Sequence, residues 1–168
     1  PGSLPRGEAI RLRPGSLEDV PLLCRLNEGD ATRFARTPED YRVILTYGHC
    51  AGRPCEFSIV EAHGIPVGSL FLWRGRDDCH VIEFRGERLA ILAALAELAG
   101  TAGSVSVDVP HGDLLGGLLR AHGLTGTAGR TPSTVKALDF CGTMAKLKPH
   151  FAGHLDASLV ESLRFVDA

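Results

Sequence analysis

Charged side chains collect where a predicted strand passes into a predicted helix, in residues 81–91 (VIEFRGERLAI). The turn between the two contains Gly86 and leads into a stretch rich in strong helix formers. Such a turn directs free backbone N–H groups and the positive end of the helix dipole toward one place. Because an anion is stabilised there, the pattern is typical of a phosphate or pyrophosphate site.

The spacing of apolar residues predicts strands and helices in the order β-α-α-β-β-β-α-β-α-β-β. The predicted strands cover residues 9–13, 56–62, 67–73, 80–84, 104–109, 134–138 and 143–147, and the predicted helices begin near Ser16 and Thr37 and cover 87–99 and 113–122. A helix between the strands at 80–84 and 104–109 permits a parallel strand pair. The sequence therefore predicts a mixed α/β domain.

For the helices predicted at 87–99 and 113–122, the sequence also predicts which residues face the core. The first is expected to turn Leu89, Leu92, Ala93 and Ala96 toward the sheet and to end at Gly100. The second contains Gly116 and Gly117, which indicate close backbone packing, and should bury Leu118 or Leu119.

Over residues 9–148 this organisation resembles that of the GNAT acetyltransferase superfamily. The signature of that family is Arg or Gln, two residues, Gly, one residue, then Gly or Ala. In this sequence the frame falls on Arg85, Gly86, Glu87, Arg88, Leu89 and Ala90. Arg85 and Ala90 match, while Arg88 stands where the family has glycine. Arg88 pairs with a phosphate, fills the groove or is simply exposed.

The resemblance implies a mixed central sheet with helices on both faces, acetyl-CoA held by residues 85–90, and an amine as acceptor. Glu83 is the best candidate for the base that removes the ammonium proton, because many GNAT enzymes carry a glutamate on this strand. The alternative is an outward-facing strand residue. The helix that ends at Gly123-Leu124 has Leu119 where the family often has a tyrosine general acid, and leucine has no proton to donate.

Other polar residues give weaker indications. His80, Asp108 and His111 lie near strand ends that flank the predicted cleft, and Ser104 and Ser106 have no glycine elbow and no evident triad partners. No metal site is predicted. One group of possible ligands, His49, Cys50 and Cys55, would meet Cys79 and His80 only if the fold brought them together. A second pair, His150 and His154, lies in a predicted loop beside Pro149 and Gly153.

Composition narrows the class of protein. The 168 residues include 44% hydrophobic residues, as in a globular domain. With 18 basic and 20 acidic residues, no strong field favours nucleic acid or anionic lipid. No apolar run approaches the ~20 residues that span a bilayer. Five cysteines form no disulfide framework, which favours a reducing, cytoplasmic location, and 15 arginines against 3 lysines suggest a bacterial genome rich in GC.

These features support two hypotheses about function. The first is an N-acetyltransferase that moves an acetyl group from acetyl-CoA to a small-molecule or peptide amine. The second is a catalytically degenerate GNAT domain that serves as a scaffold or interaction module in a larger, multi-domain protein. The expected organisation is an N-terminal extension at 1–8, a GNAT-like domain at 9–148, and a tail or the start of a further domain at 149–168, with a homo-oligomer left open.

Overall fold

The computed structural model describes residues 10–30, 35–50, 52–127, 147–150, 152, 153, 156, 158 and 160. The chain divides into two compact units, Pro1–Gly126 and Thr127–Ala168. The predicted strand at 134–138 lies outside the described residues, as does the one at 143–147 except for Leu147. Leu147 belongs to a helical stretch at 147–150 instead.

The first unit contains seven strands and four helices in its described residues. The strands are β1 (Ile10–Pro14), β2 (His49–Cys50), β3 (Arg53–Pro54), β4 (Glu56–Ala62), β5 (Ile65–Arg74), β6 (Asp78–Gly86) and β7 (Ser104–Val107). The helices are α1 (Val20–Gly29), α2 (Pro38–Tyr47), α3 (Arg88–Thr101) and α4 (Leu114–Ala121), and a 3-10 turn at Leu17–Asp19 precedes α1. Among these elements, only the short β2–β3 hairpin had no counterpart in the sequence prediction.

Five strands form one sheet in the order β1-β4-β5-β6-β7. The first four are antiparallel, and β7 pairs in parallel with β6 through the α3 crossover. Leu70 and Leu72 of β5 pack with α3 and α4, whereas Phe71 between them packs with α1 and α2. The predicted mixed sheet with helices on both faces is confirmed.

Local sequence accounts for the helix starts. Thr37 accepts a hydrogen bond from the Asp40 backbone N–H at 3.2 Å, and the Asp40 carboxylate accepts one from the Thr37 backbone N–H at 2.6 Å. Gly48, at φ 63°, ends α2 in the left-handed conformation that glycine adopts without penalty. At Ser16 the predicted helix start opens the 3-10 turn before α1.

The prediction for α3 is wrong at Leu89 and Gly100. Leu89 is 68% exposed, and the helix continues through Gly100 to Thr101. Leu92, Ala93 and Ala96 are buried as expected, but so are the residues between them. A helix covered by the sheet on one side and by α4 on another buries most of its circumference, so its sequence has no polar stripe to define a face.

In α4 the fully buried residue is Leu115, while Leu118 and Leu119 are partly buried against the same core. The expected close packing is wrong at Gly117, because a Cβ there would meet no atom within 4 Å. At Gly116 a Cβ would make ordinary contacts of 3.5 Å. Loose packing on this side leaves these glycines without a steric reason.

Candidate functional site

The centre of the candidate site is the second half of β6. Glu83 and Arg85 are two residues apart on this strand and therefore lie on the same face of the sheet, the face covered by α1 and α2. Ile82 is an extra residue, a bulge, since Val81 pairs with Leu72 and Glu83 pairs with Phe71. Pairing of β6 with β7 ends at Val81. The sheet thus opens beside the predicted base.

Glu83 is buried, with 6% of its surface exposed, so the alternative of an outward-facing strand residue is wrong. One carboxylate oxygen accepts a hydrogen bond from Nη1 of Arg36, and the other accepts one from Nη2 of Arg85 at 3.3 Å. The Arg36 guanidinium also lies 5.7 Å from the ring centre of Tyr41 and 5.8 Å from that of Phe71. Burial disfavours the charged form of Arg36, but hydrogen bonding to Glu83 and its negative charge outweigh burial and raise the pKa of Arg36.

Arg85, the first residue of the motif, points into the protein. Its Nε donates to the side-chain oxygen of Asn27 at 3.1 Å, and its Nη1 donates to the Phe84 carbonyl at 2.8 Å. Its Nε also lies 3.6 Å from Oδ2 of Asp30, at the end of α1. The side chain is therefore engaged by α1 and by its own strand.

Arg88, which replaces the motif glycine, forms a clamp between three elements. Its Nη2 lies 2.8 Å from Oδ2 of Asp113 and 2.9 Å from Oδ1 of Asp30, and its Nη1 donates to the Gly86 carbonyl at 2.6 Å. The guanidinium stacks 5.0 Å from the ring centre of Phe84. Burial opposes its charge, yet both carboxylates outweigh burial and raise its pKa. Of the three expected possibilities, simple exposure is wrong, since the side chain is only 15% exposed, and filling of the groove agrees with this geometry.

Asp113 links this clamp to α4. It is the N-cap of that helix and accepts a hydrogen bond from the Leu115 backbone N–H at 2.8 Å. Burial disfavours its charge, but the hydrogen bonds from Arg88 and from the Leu115 N–H lower its pKa.

These contacts join into one continuous chain of alternating charges, here called the ion network. It runs through Arg36, Glu83, Arg85, Asp30, Arg88 and Asp113. Their side chains are only 6–15% exposed, and three positive charges balance three negative ones. Burial of six charges is tolerated because each has an opposite partner. Sequence reasoning singled out three of the six and missed Arg36, Asp30 and Asp113, since no local pattern marks them.

Gly86 and Glu87 of the motif are tied to β5, and Ala90 is buried. Gly86 has φ 100°, and a Cβ there would lie 2.1 Å from the Val67 carbonyl oxygen. Any side chain at position 86 would therefore collide with β5, so the close approach of the two strands requires glycine here. The Glu87 backbone N–H donates to that same carbonyl at 3.0 Å, and Ala90 is buried. The Arg88 side chain is committed to two aspartates, so in this arrangement it does not fit the role of a ligand to the diphosphate of acetyl-CoA.

A second polar group lies where β6 and β7 pair. Nδ1 of His80 lies 2.8 Å from the Ser106 hydroxyl, and Nε2 lies 3.3 Å from Oδ2 of Asp108. No triad partner of Ser106 was evident from the sequence, but in the structure His80 lies within hydrogen-bond distance of its hydroxyl. The partners were missed because the parallel register brings together residues that are 26 positions apart. His111, also expected near this cleft, lies in an exposed turn.

The cysteines and remaining histidines show no metal-binding arrangement in the described part of the chain, where no three His, Cys, Asp or Glu residues are grouped suitably. Cys50 is buried 3.6 Å from Nη2 of Arg36. Burial raises the pKa of the Cys55 thiol to about 11, which makes it a poor thiolate former. His150 is helical rather than in a loop, and His154 lies outside the described residues.

Solved structures share this fold. A ribosomal-protein-alanine N-acetyltransferase from Brucella melitensis biovar Abortus 2308 superimposes with a TM-score of 0.53 and 14% identity, over 77% of this chain and 100% of that one. An acetyltransferase from Thermus thermophilus gives 0.52 and 20%, over 68% and 86%. An integron cassette protein from V. cholerae gives 0.52 and 10%, over 83% and 99%.

The chain therefore has the fold of the GNAT acetyltransferases, and the fold predicted from the sequence is confirmed. At these identities the likeness is one of fold. No protein-family profile and no curated protein sequence matches the chain. Within the described residues, no helix combines the length and apolar character needed to cross a membrane.

Proposed function

We propose that this chain is a catalytically degenerate GNAT domain that acts as a scaffold or interaction module in a larger acetyltransferase-like protein. The observation that supports this most strongly is the ion network. It ties the end of α1, the β6–α3 turn and the start of α4 together through Asp30, Arg88 and Asp113. The protein's own side chains thereby occupy the place where the motif of the family would hold acetyl-CoA.

The surroundings of Glu83 also favour this proposal. A general base must bring a free lone pair to the proton that it removes. Both oxygens of Glu83 accept hydrogen bonds from arginines, and the side chain is buried. Arg36 and Arg85 hold the carboxylate in ion pairs inside the protein, where its burial restricts the approach of an amine. Leu119, at the position of the general acid, contributes only to packing.

The competing candidate is an active, cytoplasmic bacterial N-acetyltransferase with an amine acceptor. It is favoured by the match of Arg85 and Ala90 to the motif and by the opening of the sheet where β6–β7 pairing ends at Val81. Under this alternative, Arg88 must release its two aspartates before the cofactor binds.

Calorimetric titration with acetyl-CoA separates the two. We expect no saturable binding of acetyl-CoA with a dissociation constant in the low micromolar range, which would correspond to a binding free energy of about −8 kcal/mol. Arg88→Gly removes the clamp and should produce measurable binding, whereas the matched control Arg88→Lys keeps a cation at the position and should not. A low micromolar Kd for the unaltered chain would contradict the proposal.

A CoA-release assay over a panel of amines tests turnover. We expect release at background. Steady release that disappears in Glu83→Gln, in protein whose circular dichroism is unchanged, would establish the enzyme and assign the base. Release that persists in Glu83→Gln would also overturn the proposal, and the base would be another group.

A further inference from the structure

Ser106, His80 and Asp108 form a polar cluster that the ion network does not include, with a hydrogen bond between Ser106 and His80 and a close ion-pair contact between His80 and Asp108. His80 on β6 and Ser106 on β7 are direct partners in the parallel register. Asp108 follows Ser106 by two residues, and its backbone N–H continues the ladder to the Val81 carbonyl at 3.5 Å. Residues two apart in an extended chain share a face, so Ser106 and Asp108 both flank the imidazole.

The distances permit relay of a proton. In the tautomer with its proton on Nε2, Nδ1 of His80 accepts from the Ser106 hydroxyl at 2.8 Å, and Nε2 lies 3.3 Å from the Asp108 carboxylate. A serine that is hydrogen-bonded to a base, which is in turn oriented by a carboxylate, is the arrangement that activates nucleophilic hydroxyls. Recognition of such a group depends on geometry and not on chain order.

Access and support complete the site. Ser106 is exposed, whereas the His80 side chain is only 20% exposed. His80 is also the register partner of Trp73 on β5. The reacting hydroxyl is thus open to reagents while its base is held by neighbouring strands. The Asp108 carboxylate is 83% exposed and places a negative charge 3.3 Å from Nε2 of the imidazole, so we assign it as the positioning residue.

We propose that Ser106 is an activated nucleophile that accepts small acyl groups from esters with good leaving groups. The Ser106 oxygen forms a bond to the acyl carbon while its proton passes to Nδ1 of His80. The bond to the leaving alcohol breaks, and that alcohol takes the proton from His80. The products are an O-acyl serine and the free alcohol, with no redox change. This reactivity is independent of acetyl-CoA binding and of the function proposed above.

The test is covalent labelling of the whole chain with a fluorophosphonate and with 4-nitrophenyl acetate, followed by mass-spectrometric location of the label. We expect the label on Ser106. Ser104, two residues earlier on the same strand and paired with Asp78, provides the matched control. Ser106→Ala should abolish labelling, whereas Ser104→Ala should leave its rate unchanged within about twofold.

Two further variants test the base and its positioning residue. His80→Gln keeps a polar side chain but no base and should slow labelling by about 100-fold, within the range that general bases supply. Asp108→Asn should slow it less, with an unchanged melting temperature because the carboxylate is exposed. Absence of label, equal labelling of Ser104 and Ser106, or an unchanged rate in His80→Gln would each overturn the proposal.

Discussion

Arg36 and Glu83 stand 47 residues apart in the chain and form a buried ion pair, with 13% and 6% of their side chains exposed. Arg36 precedes α2 and Glu83 lies on the central strand β6, so the pair fastens the α2 side of the molecule to the sheet. The residue that the sequence predicted as the general base therefore joins two elements of the fold.

This relationship predicts a large effect of Glu83→Gln on stability. The substitution leaves Arg36 and Arg85 buried without their shared anion, and removal of one partner from a buried pair costs about 3–5 kcal/mol. Urea denaturation measures it. Glu39→Gln breaks the exposed Glu39–Arg42 pair and is the control, with a change within about 0.5 kcal/mol. If Arg36→Met and Glu83→Gln have strictly additive effects, the two side chains are not coupled.

The core of α3 gives a second prediction. Leu92 is fully buried, and Leu92→Ala should lower the free energy of unfolding by about 2–5 kcal/mol. Leu89, three residues earlier, is 68% exposed, so Leu89→Ala should change it by no more than about 0.5 kcal/mol. Thermal melts of the two variants compare the positions directly. A larger loss at Leu89 would reverse the assignment of the helix face.

Gly86 and Gly117 should respond in opposite ways to alanine. At Gly86 the φ of 100° and the Val67 carbonyl both oppose a Cβ, so Gly86→Ala should cost at least about 1–3 kcal/mol. At Gly117 the backbone is helical and a Cβ would enter open space. Gly117→Ala should therefore stabilise by about 0.5–1 kcal/mol. Chemical denaturation measures the free energy of unfolding of both variants. Equal changes would show that β5 and β6 do not approach closely at Gly86.

Asp19 predicts a dependence of stability on pH. Hydrogen bonds from Arg13, at 2.7 and 2.9 Å, are the main cause that lowers the pKa of Asp19 below its ordinary value of 3.8; burial acts in the opposite direction. Since the folded state favours the ionised form, this stabilisation is present above the unfolded pKa and is lost as pH falls through the folded pKa. Asp19→Asn should be less stable at neutral pH and should lose less stability on acidification below about pH 4.

Urea midpoints measured across this acidic range test the pH prediction. Glu18→Gln removes the exposed neighbouring carboxylate and should keep the steep dependence of the unaltered chain. A slope in Asp19→Asn as steep as that of the unaltered chain would assign the acid sensitivity to other groups.

Most elements of the first unit could be predicted from the sequence, because their signals are local. Thr37, Asp40 and Gly48 mark both ends of α2 within a dozen residues, and the alternation at Glu56–Ala62 gave the limits of β4. The strand–helix–strand unit that ends in β7 was also predictable, since a helical crossover permits a parallel pair. The failures at Leu89 and Gly100 occurred where burial on nearly all sides removes the periodic signal.

The groups that surround the candidate residues could not be predicted, because they come from distant parts of the chain. Arg88 could have faced a phosphate or the protein, and the approach of Asp30 and Asp113 from α1 and α4 selects the second. Likewise, His80 lies beside Ser106 because of the β6–β7 register, which no pattern along the chain indicates. The physical reason is that a charge or a hydroxyl acquires its chemistry from partners within a few ångströms. Those partners come from segments that meet only when the sheet and both helix layers have formed.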